Sequence, residues 1–174
     1  EGSYSVKVYK QQSGSQYSAV SSQKVKVSAF ARDNAAFLVP SQYVNYTADT
    51  AAVAQSQTLC ASLTDDRAKA DAIAGWILKN VNYDYILSLT VEKNYMPVLD
   101  DVLNKGMGIC FDYAALFACM LRVQGIPAQL VIGYADSGYH SWNSVYLNGE
   151  WVRYDLTAQS TGMKVLAYTT ERYY

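Results

Sequence analysis

Cys110 has the side chain and the local context that nucleophilic catalysis requires. It follows the glycine-rich segment GMGI and precedes a long, largely apolar run of helix-forming residues, FDYAALFACMLRVQ. A cysteine in the first turn of a helix lies beside unpaired N–H groups and the positive end of the helix dipole, which favour the thiolate. Gly106 and Gly108 let the backbone bend and leave room for a substrate carbonyl. The pattern predicts an accessible, reactive thiol.

His140 and Asp155 are predicted to lie side by side on a β-hairpin. The Asn-Gly pair at 148–149 is a strong signal for a two-residue turn between HSWNSVYL and EWVRYDL. In the register that this turn sets, Trp142 lies opposite Asp155, and His140 lies opposite Thr157. His140 and Asp155 are then diagonal neighbours on one face, roughly 7–8 Å apart at the backbone, within reach of a hydrogen bond. A slip of one residue would place them on opposite faces.

The order of the three residues along the chain is also informative. A thiolate nucleophile needs a proton donor for the leaving group, usually a histidine held by a third polar group, and this chain contains a single histidine. A cysteine at a helix start, followed by histidine and aspartate on two strands, is the arrangement of papain-like thiol enzymes, in which a carboxylate or amide orients the imidazole. The sequence therefore favours a site made of Cys110, His140 and Asp155.

Each of these residues also has a simpler interpretation. An isolated cysteine in apolar surroundings is more often an inert core residue, a lone histidine is more often structural, and Asp155 could merely end a strand. The glycine context and the predicted pairing of His140 with Asp155 favour the catalytic interpretation. Cys119 lies on the same helix and points away from Cys110. Cys60 is also expected in the core, and a disulfide between Cys60 and Cys119 stays open.

The N-terminal part of the chain is predicted to form a β-hairpin. Residues 4–10 and 23–30 alternate in character and are separated by turn-forming residues. The segment that follows has little periodicity and is interpreted as a connector that packs residues 37–39 against the body of the protein. We expect an N-terminal hairpin and connector over 1–44 and a catalytic domain over 45–174.

The remaining elements are those that must position the three residues. Helices are predicted over 51–63 and 65–81, with one short helix near 98–103. The helix that begins near Cys110 is apolar almost all round, as is typical of a helix buried on most sides, and Gly125 ends it. Asp112 is assigned only a favourable effect on the helix dipole and is left out of the site. Helices followed by three consecutive strands favour an α+β fold, with the central helix packed on an antiparallel sheet.

The composition excludes several classes of partner. The 14 basic and 15 acidic residues are scattered, so neither nucleic acid nor an anionic membrane is expected as a partner. No apolar stretch is long enough to insert into a membrane. The plentiful tyrosine and small polar residues hint at an exported protein whose leader is absent from this sequence, and we expect an extracellular or cell-surface location. The oligomeric state stays open.

Five sequence blocks in order resemble the transglutaminase-like superfamily, in its bacterial type. They are WILKNVNYD, then GICFDYA, then LRVQGIPA with VIGY, then HSWN, then LNGEWVRYDLT, and together they span about 65–157. The resemblance implies a papain-like α+β core, Cys110 as nucleophile, His140 as general base and acid, and Asp155 as its orienting partner. Ser144 departs from the glutamate of many relatives. The acidic clusters that bind calcium in the animal enzymes are also missing, so we expect no metal and no cofactor.

The predicted activity is acyl transfer through a thioester on a protein or peptide substrate. Attack on a carboxamide or peptide carbonyl, followed by an amine, gives a transglutaminase, whereas water gives a hydrolase such as a cysteine protease or amidase. The backbone N–H of Cys110 is one oxyanion donor by position, and a side chain from 82–95 is expected to be the second. The alternative is a non-catalytic cell-surface binding or scaffold module that keeps the thiol-enzyme fold, with the hairpin docking a partner.

Overall fold

The computed structural model describes residues 1–29, 34–136 and 138–174. The chain forms two compact units, Glu1–Asp33 and Asn34–Tyr174. The second unit therefore starts earlier than the predicted domain start at residue 45, because the connector belongs to its packing: Val44 is fully buried. The predicted strand end at Phe30 and the first connector residues lie outside the described residues.

The first unit is an antiparallel β-hairpin, as predicted, with longer strands. Strand β1 spans Gly2–Ser13 and strand β2 spans Gln16–Val27. Between Gly2 and Val8, before the register shift, one face carries the apolar Tyr4 with its partner Val25, and the other carries Ser3 with its partner Lys26. All residues of both strands are exposed.

The second unit contains six α-helices and six strands among its described residues. In chain order they are a 3₁₀ helix Ala35–Leu38, α1 Ala51–Cys60, α2 Asp66–Asn80, β3 Asn82–Tyr83, α3 Tyr85–Thr90, α4 Leu99–Lys105, β4 Met107–Gly108, α5 Cys110–Val123, β5 Ala128–Ala135, β6 Gly138–Leu147, β7 Glu150–Tyr154, α6 Leu156–Thr161 and β8 Tyr168–Tyr173. The predicted helices α1, α2, α4 and α5 and the predicted strands β5, β6 and β7 are confirmed. None of the described helices is long and apolar enough to cross a membrane.

Helix α5 is the centre of the fold. Its residues from Asp112 to Arg122 are all buried, and it contacts β5 and β6 as well as α1 and α2. The sheet is antiparallel, with the strand order β7-β6-β5-β8. The amide of Asn143 on β6 donates to the Ala114 carbonyl of α5 at 2.9 Å. The predicted α+β fold, with a buried central helix on an antiparallel sheet, is confirmed.

Arg122, near the end of α5, forms hydrogen bonds to three other segments of the chain. Its guanidinium donates to the carbonyls of Val39 at 2.7 Å, Ala128 at 2.8 Å and Tyr174 at 2.8 Å. Burial lowers the pKa of Arg122 to about 10. Since a buried cation needs hydrogen-bonding partners, these carbonyls hold the connector and the end of β8 against the helix.

Candidate active site

The N-terminus of α5 opens into a cavity of about 700 Å³. The cavity walls carry many aromatic and polar side chains. Its described lining includes the following residues: Tyr43, Tyr83, Tyr95, Met96, Cys110, Phe111, Tyr139, His140, Arg172 and Tyr174. Cys110 is the first residue of α5 and is partly exposed, so the predicted accessible thiol lies at the cavity.

Asp112 organises the backbone that presents Cys110. Its carboxylate accepts a hydrogen bond from the Ile109 N–H at 2.9 Å and another from the Tyr95 hydroxyl at 2.8 Å. Burial raises the pKa of Asp112. A Cβ on Gly108 would lie 2.7 Å from the Asp112 Cβ, so glycine is required there by this packing. Asp112 was left out of the predicted site, although an acidic residue two positions after the cysteine was a usable capping signal.

His140 and Asp155 form the predicted hydrogen-bonded pair. The distance between His140 Nε2 and Asp155 Oδ2 is 2.8 Å, and both side chains are buried. The predicted register of β6 and β7 is confirmed from the Leu147–Glu150 pair to the Asn143–Tyr154 pair. Strand β7 ends there, however, and Asp155 caps α6 by accepting the Ala158 N–H at 2.9 Å. Asp155 and Thr157 therefore do not continue the strand.

The protonation of His140 is set by these contacts. Burial disfavours the charged imidazole, but the hydrogen bond with Asp155 and the nearby Cys110 side chain outweigh it and raise the pKa of His140 to about 9. For Asp155, burial is likewise opposed by the bonds from His140 and Ala158, and its pKa is lowered. Near neutral pH the site thus favours an imidazolium between a carboxylate and the sulfur.

Trp142 and Tyr168 complete the surroundings of the pair. The indole of Trp142 stacks on the imidazole with ring centroids 6.1 Å apart. The Tyr168 hydroxyl donates to Asp155 Oδ2 at 2.9 Å. The sequence does not identify Tyr168, because it predicts no strand after residue 157, and a single tyrosine beyond the last hairpin carries no signal of its own.

The other two cysteines are separate from the site. Cys60 and Cys119 are buried free thiols. Burial raises the pKa of Cys119 to about 12 and also raises that of Cys60, so neither has the features of a nucleophile. In the three described ranges, no group of three or more His, Cys, Asp or Glu side chains could hold a metal ion.

Fold and site together define a papain-like thiol-enzyme architecture. A sequence profile of the transglutaminase-like superfamily matches residues 51–156. This range includes α1, the buried helix α5, and the hairpin that carries His140. The chain belongs to the transglutaminase-like superfamily.

Individual relatives agree with this assignment. The chain is 31% identical over 105 residues to the kyphoscoliosis peptidase of Homo sapiens, and the match covers 53% of this chain and 16% of that protein. Its fold is similar to the crystal structure of a candidate cysteine protease from Cytophaga hutchinsonii (TM-score 0.61, 22% identity, 83% of this chain and 55% of that one). It is also similar to the periplasmic domain of TgpA from Pseudomonas aeruginosa (TM-score 0.59, 21% identity, 78% and 50%). The chain thus spans about a sixth of the curated relative's length.

Proposed function

We propose that this domain is a cysteine-dependent acyl transferase or hydrolase that acts on carboxamide or peptide bonds of proteins or peptides. The observation that carries the proposal is the buried 2.8 Å bond between His140 and Asp155 beside a partly exposed thiol at a cavity. Cys110 would be the nucleophile, His140 the general acid and base, and Asp155 the residue that orients the imidazole.

The reaction would proceed through a thioester. The Cys110 thiolate attacks the carbonyl carbon, the C–S bond forms, and the carbonyl π electrons move to the oxygen. When the tetrahedral intermediate collapses, the C–N bond breaks and the departing ammonia or amine takes a proton from the imidazolium. Since Nε2 of His140 is held by Asp155, Nδ1 is the nitrogen that would donate this proton. Water or an amine then gives up a proton to His140 and attacks the thioester carbonyl, and the C–S bond breaks to release the product and the Cys110 thiolate.

Two donors are proposed for the oxyanion of each intermediate. The backbone N–H of Cys110 lies at the helix start, where it has no partner within the helix. The second donor is proposed to be the Tyr83 hydroxyl. Tyr83 on β3 pairs with Gly108 on β4, two residues before the nucleophile, and both Tyr83 and Cys110 line the cavity. Burial and the nearby thiol raise the pKa of Tyr83, which keeps its hydroxyl protonated as a donor.

We also propose that the protein is located outside the cytoplasm. It is supported by the fold similarity to a periplasmic domain and by a composition rich in tyrosine and small polar residues. Incorporation of a labelled amine, compared with release of ammonia or new N-termini, distinguishes an amine from water as the acyl acceptor.

Iodoacetamide labelling at mildly acidic pH tests the proposed thiolate. We expect one equivalent of label on Cys110, located by peptide mapping, because this thiol is partly exposed at a helix start and lines the same cavity as His140, which is the environment of a reactive cysteine. Cys60 and Cys119 are internal controls, since both are buried. Labelling of Cys110 only well above pH 8 would contradict an activated thiolate.

Activity is tested by incubating a glutamine-rich protein with a labelled primary amine, and by measuring ammonia and new N-termini in the same samples. We expect product from the wild type and none from Cys110→Ala. Amine incorporation identifies a transglutaminase, whereas ammonia or cleavage alone identifies a hydrolase. Equal activity of the two proteins would contradict the proposal, and absence of all products over a wide panel of peptides would favour the binding-module alternative.

A further inference from the structure

The Asp155 carboxylate is held by three hydrogen bonds, and one comes from a strand outside the hairpin. Its Oδ1 accepts the Ala158 N–H at 2.9 Å. Its Oδ2 accepts two bonds, one from His140 Nε2 at 2.8 Å and one from the Tyr168 hydroxyl at 2.9 Å. The oxygen that orients the imidazole is thus shared with a phenol.

The Tyr168 ring is held firmly in this position. It packs edge to face against Trp142 with centroids 4.9 Å apart, and the Arg153 guanidinium lies over its face at 4.1 Å from the centroid. Strand β8, which carries Tyr168, pairs antiparallel with β5. Both the strand and the tyrosine lie beyond residue 156, where the family match ends. The contact thus comes from a strand that lies outside the residues matched by the family profile.

We infer that Tyr168 is a positioning residue for the proposed reaction, whose hydroxyl shares Oδ2 of Asp155 with His140 and so limits how strongly the carboxylate holds the imidazolium. An oxygen that accepts two charge-assisted hydrogen bonds offers less negative charge to each donor. A less firmly held imidazolium gives its proton more readily to a departing amine. The inference rests on the proposed function, because it concerns the same proton transfer.

The charged and titratable groups around this contact are few. The groups that face His140 are Asp155 and Cys110, and the Asp155 carboxylate faces His140 and Tyr168. Tyr168 itself faces Asp155 and Arg153. Burial and the carboxylate raise the pKa of Tyr168 to about 12, so the phenol stays a donor across the neutral range.

The test compares wild type, Tyr168→Phe and Tyr173→Phe. Phenylalanine at 168 keeps the ring that packs on Trp142 and removes only the hydroxyl. Tyr173 is a matched control, since it lies on the same strand and the residue is 57% exposed. The imidazole is titrated by ¹H–¹⁵N NMR, which is unambiguous because the chain has a single histidine. The burst of p-nitrophenol from p-nitrophenyl acetate reports acylation of Cys110 with a leaving group that needs no proton.

We expect the His140 titration in Tyr168→Phe to move upward by about half to one pH unit. The burst rate should stay within about twofold of wild type, and Tyr173→Phe should match wild type in both measurements. A merely structural role of Tyr168 would change the melting temperature without this upward shift. An unchanged or lowered His140 titration in Tyr168→Phe, or an equal shift in Tyr173→Phe, would overturn the inference. A wild-type protein with neither burst nor selective labelling of Cys110 would instead overturn the proposed function.

Discussion

Tyr83 is the phenol that the fold brings to the start of helix α5. The short parallel pairing of β3 with β4 places it next to Gly108, and its ring packs edge to face on Tyr85 with centroids 4.9 Å apart. Tyr85 differs in that its side chain is 63% exposed and is not part of the cavity lining. The two neighbouring phenols therefore form a natural comparison.

Replacing Tyr83 by phenylalanine should lower kcat about 100-fold with little change in KM, because a donor aimed at the oxyanion acts mainly in the transition state. Steady-state kinetics with the substrate found in the amine-incorporation or ammonia assay would measure this. Tyr85→Phe should stay within about twofold of wild type. A kcat for Tyr83→Phe equal to that of Tyr85→Phe would exclude the hydroxyl as a donor and leave the search open among the other residues of 82–95.

For individual residues, the sequence predicts those contacts whose partners are close along the chain or are placed by a turn. The register of the hairpin follows from Asn148 and Gly149, so the approach of His140 to Asp155 could be predicted without a template. Tyr168 and Tyr95 reach their carboxylates from segments with no predicted pairing. Contacts of this kind depend on tertiary packing, which no periodicity in the chain encodes.

Strand β8 is the element that supplies Tyr168, and a glycine on β5 makes its pairing possible. A Cβ on Gly133 would lie 2.0 Å from the Thr169 carbonyl oxygen. The pairing of β5 with β8 is irregular at this point, between Ile132 and Gly133. A side chain at 133 would therefore displace the backbone of β8.

We expect Gly133→Ala to lower the free energy of unfolding by about 2–4 kcal/mol, because backbone atoms rather than a flexible side chain must move. Gly75→Ala is the matched control. Gly75 lies at an exposed position of helix α2 with nothing within 4 Å of an added Cβ, so alanine there should raise stability by about 0.5–1 kcal/mol. Urea unfolding of both variants measures the difference, and a Gly133→Ala protein as stable as Gly75→Ala would contradict this view of β8.

Two short helices are among the elements that the sequence does not predict. Helices α3 and α6 each span six residues, fewer than two turns, so they present no hydrophobic period. Both begin at an aspartate that accepts a backbone N–H, Asp84 from Leu87 and Asp155 from Ala158, at 2.8 and 2.9 Å. Long elements with a clear apolar face, above all α5, were predicted correctly because burial repeats along their length.

At the scale of the whole second unit, the three proposed catalytic residues come from different elements. Cys110 begins α5, His140 lies in β6, and Asp155 caps α6. The hydrogen bond between His140 and Asp155 is therefore also a tertiary contact that exists only in the folded protein. Any free energy that it contributes to the site is at the same time a contribution to folding, which makes the protonation of the site visible in global stability.

The linkage predicts a loss of stability at alkaline pH. The pKa of His140 is raised from 6.5 to about 9, because its hydrogen bond with Asp155 and the nearby Cys110 side chain outweigh burial. The contribution of His140 to the free energy of unfolding is complete below pH 6.5 and is lost as the pH rises to about 9. The pKa of Asp155 is lowered, so its effect appears at acidic pH. The contribution of Asp155 to the free energy of unfolding is lost only as the pH falls below the ordinary carboxyl pKa of 3.8.

Urea unfolding of wild type should therefore show a free energy of unfolding that decreases from pH 6.5 to 9, whereas His140→Gln should lack this decrease. The glutamine variant is expected to be less stable at pH 6, because Asp155 stays buried without its charged partner. Subtracting the two profiles cancels the titration of groups that both proteins share. A difference that is flat across this window would show that His140 has the same proton affinity in the folded and unfolded chain, and would contradict an imidazolium held between Asp155 and Cys110.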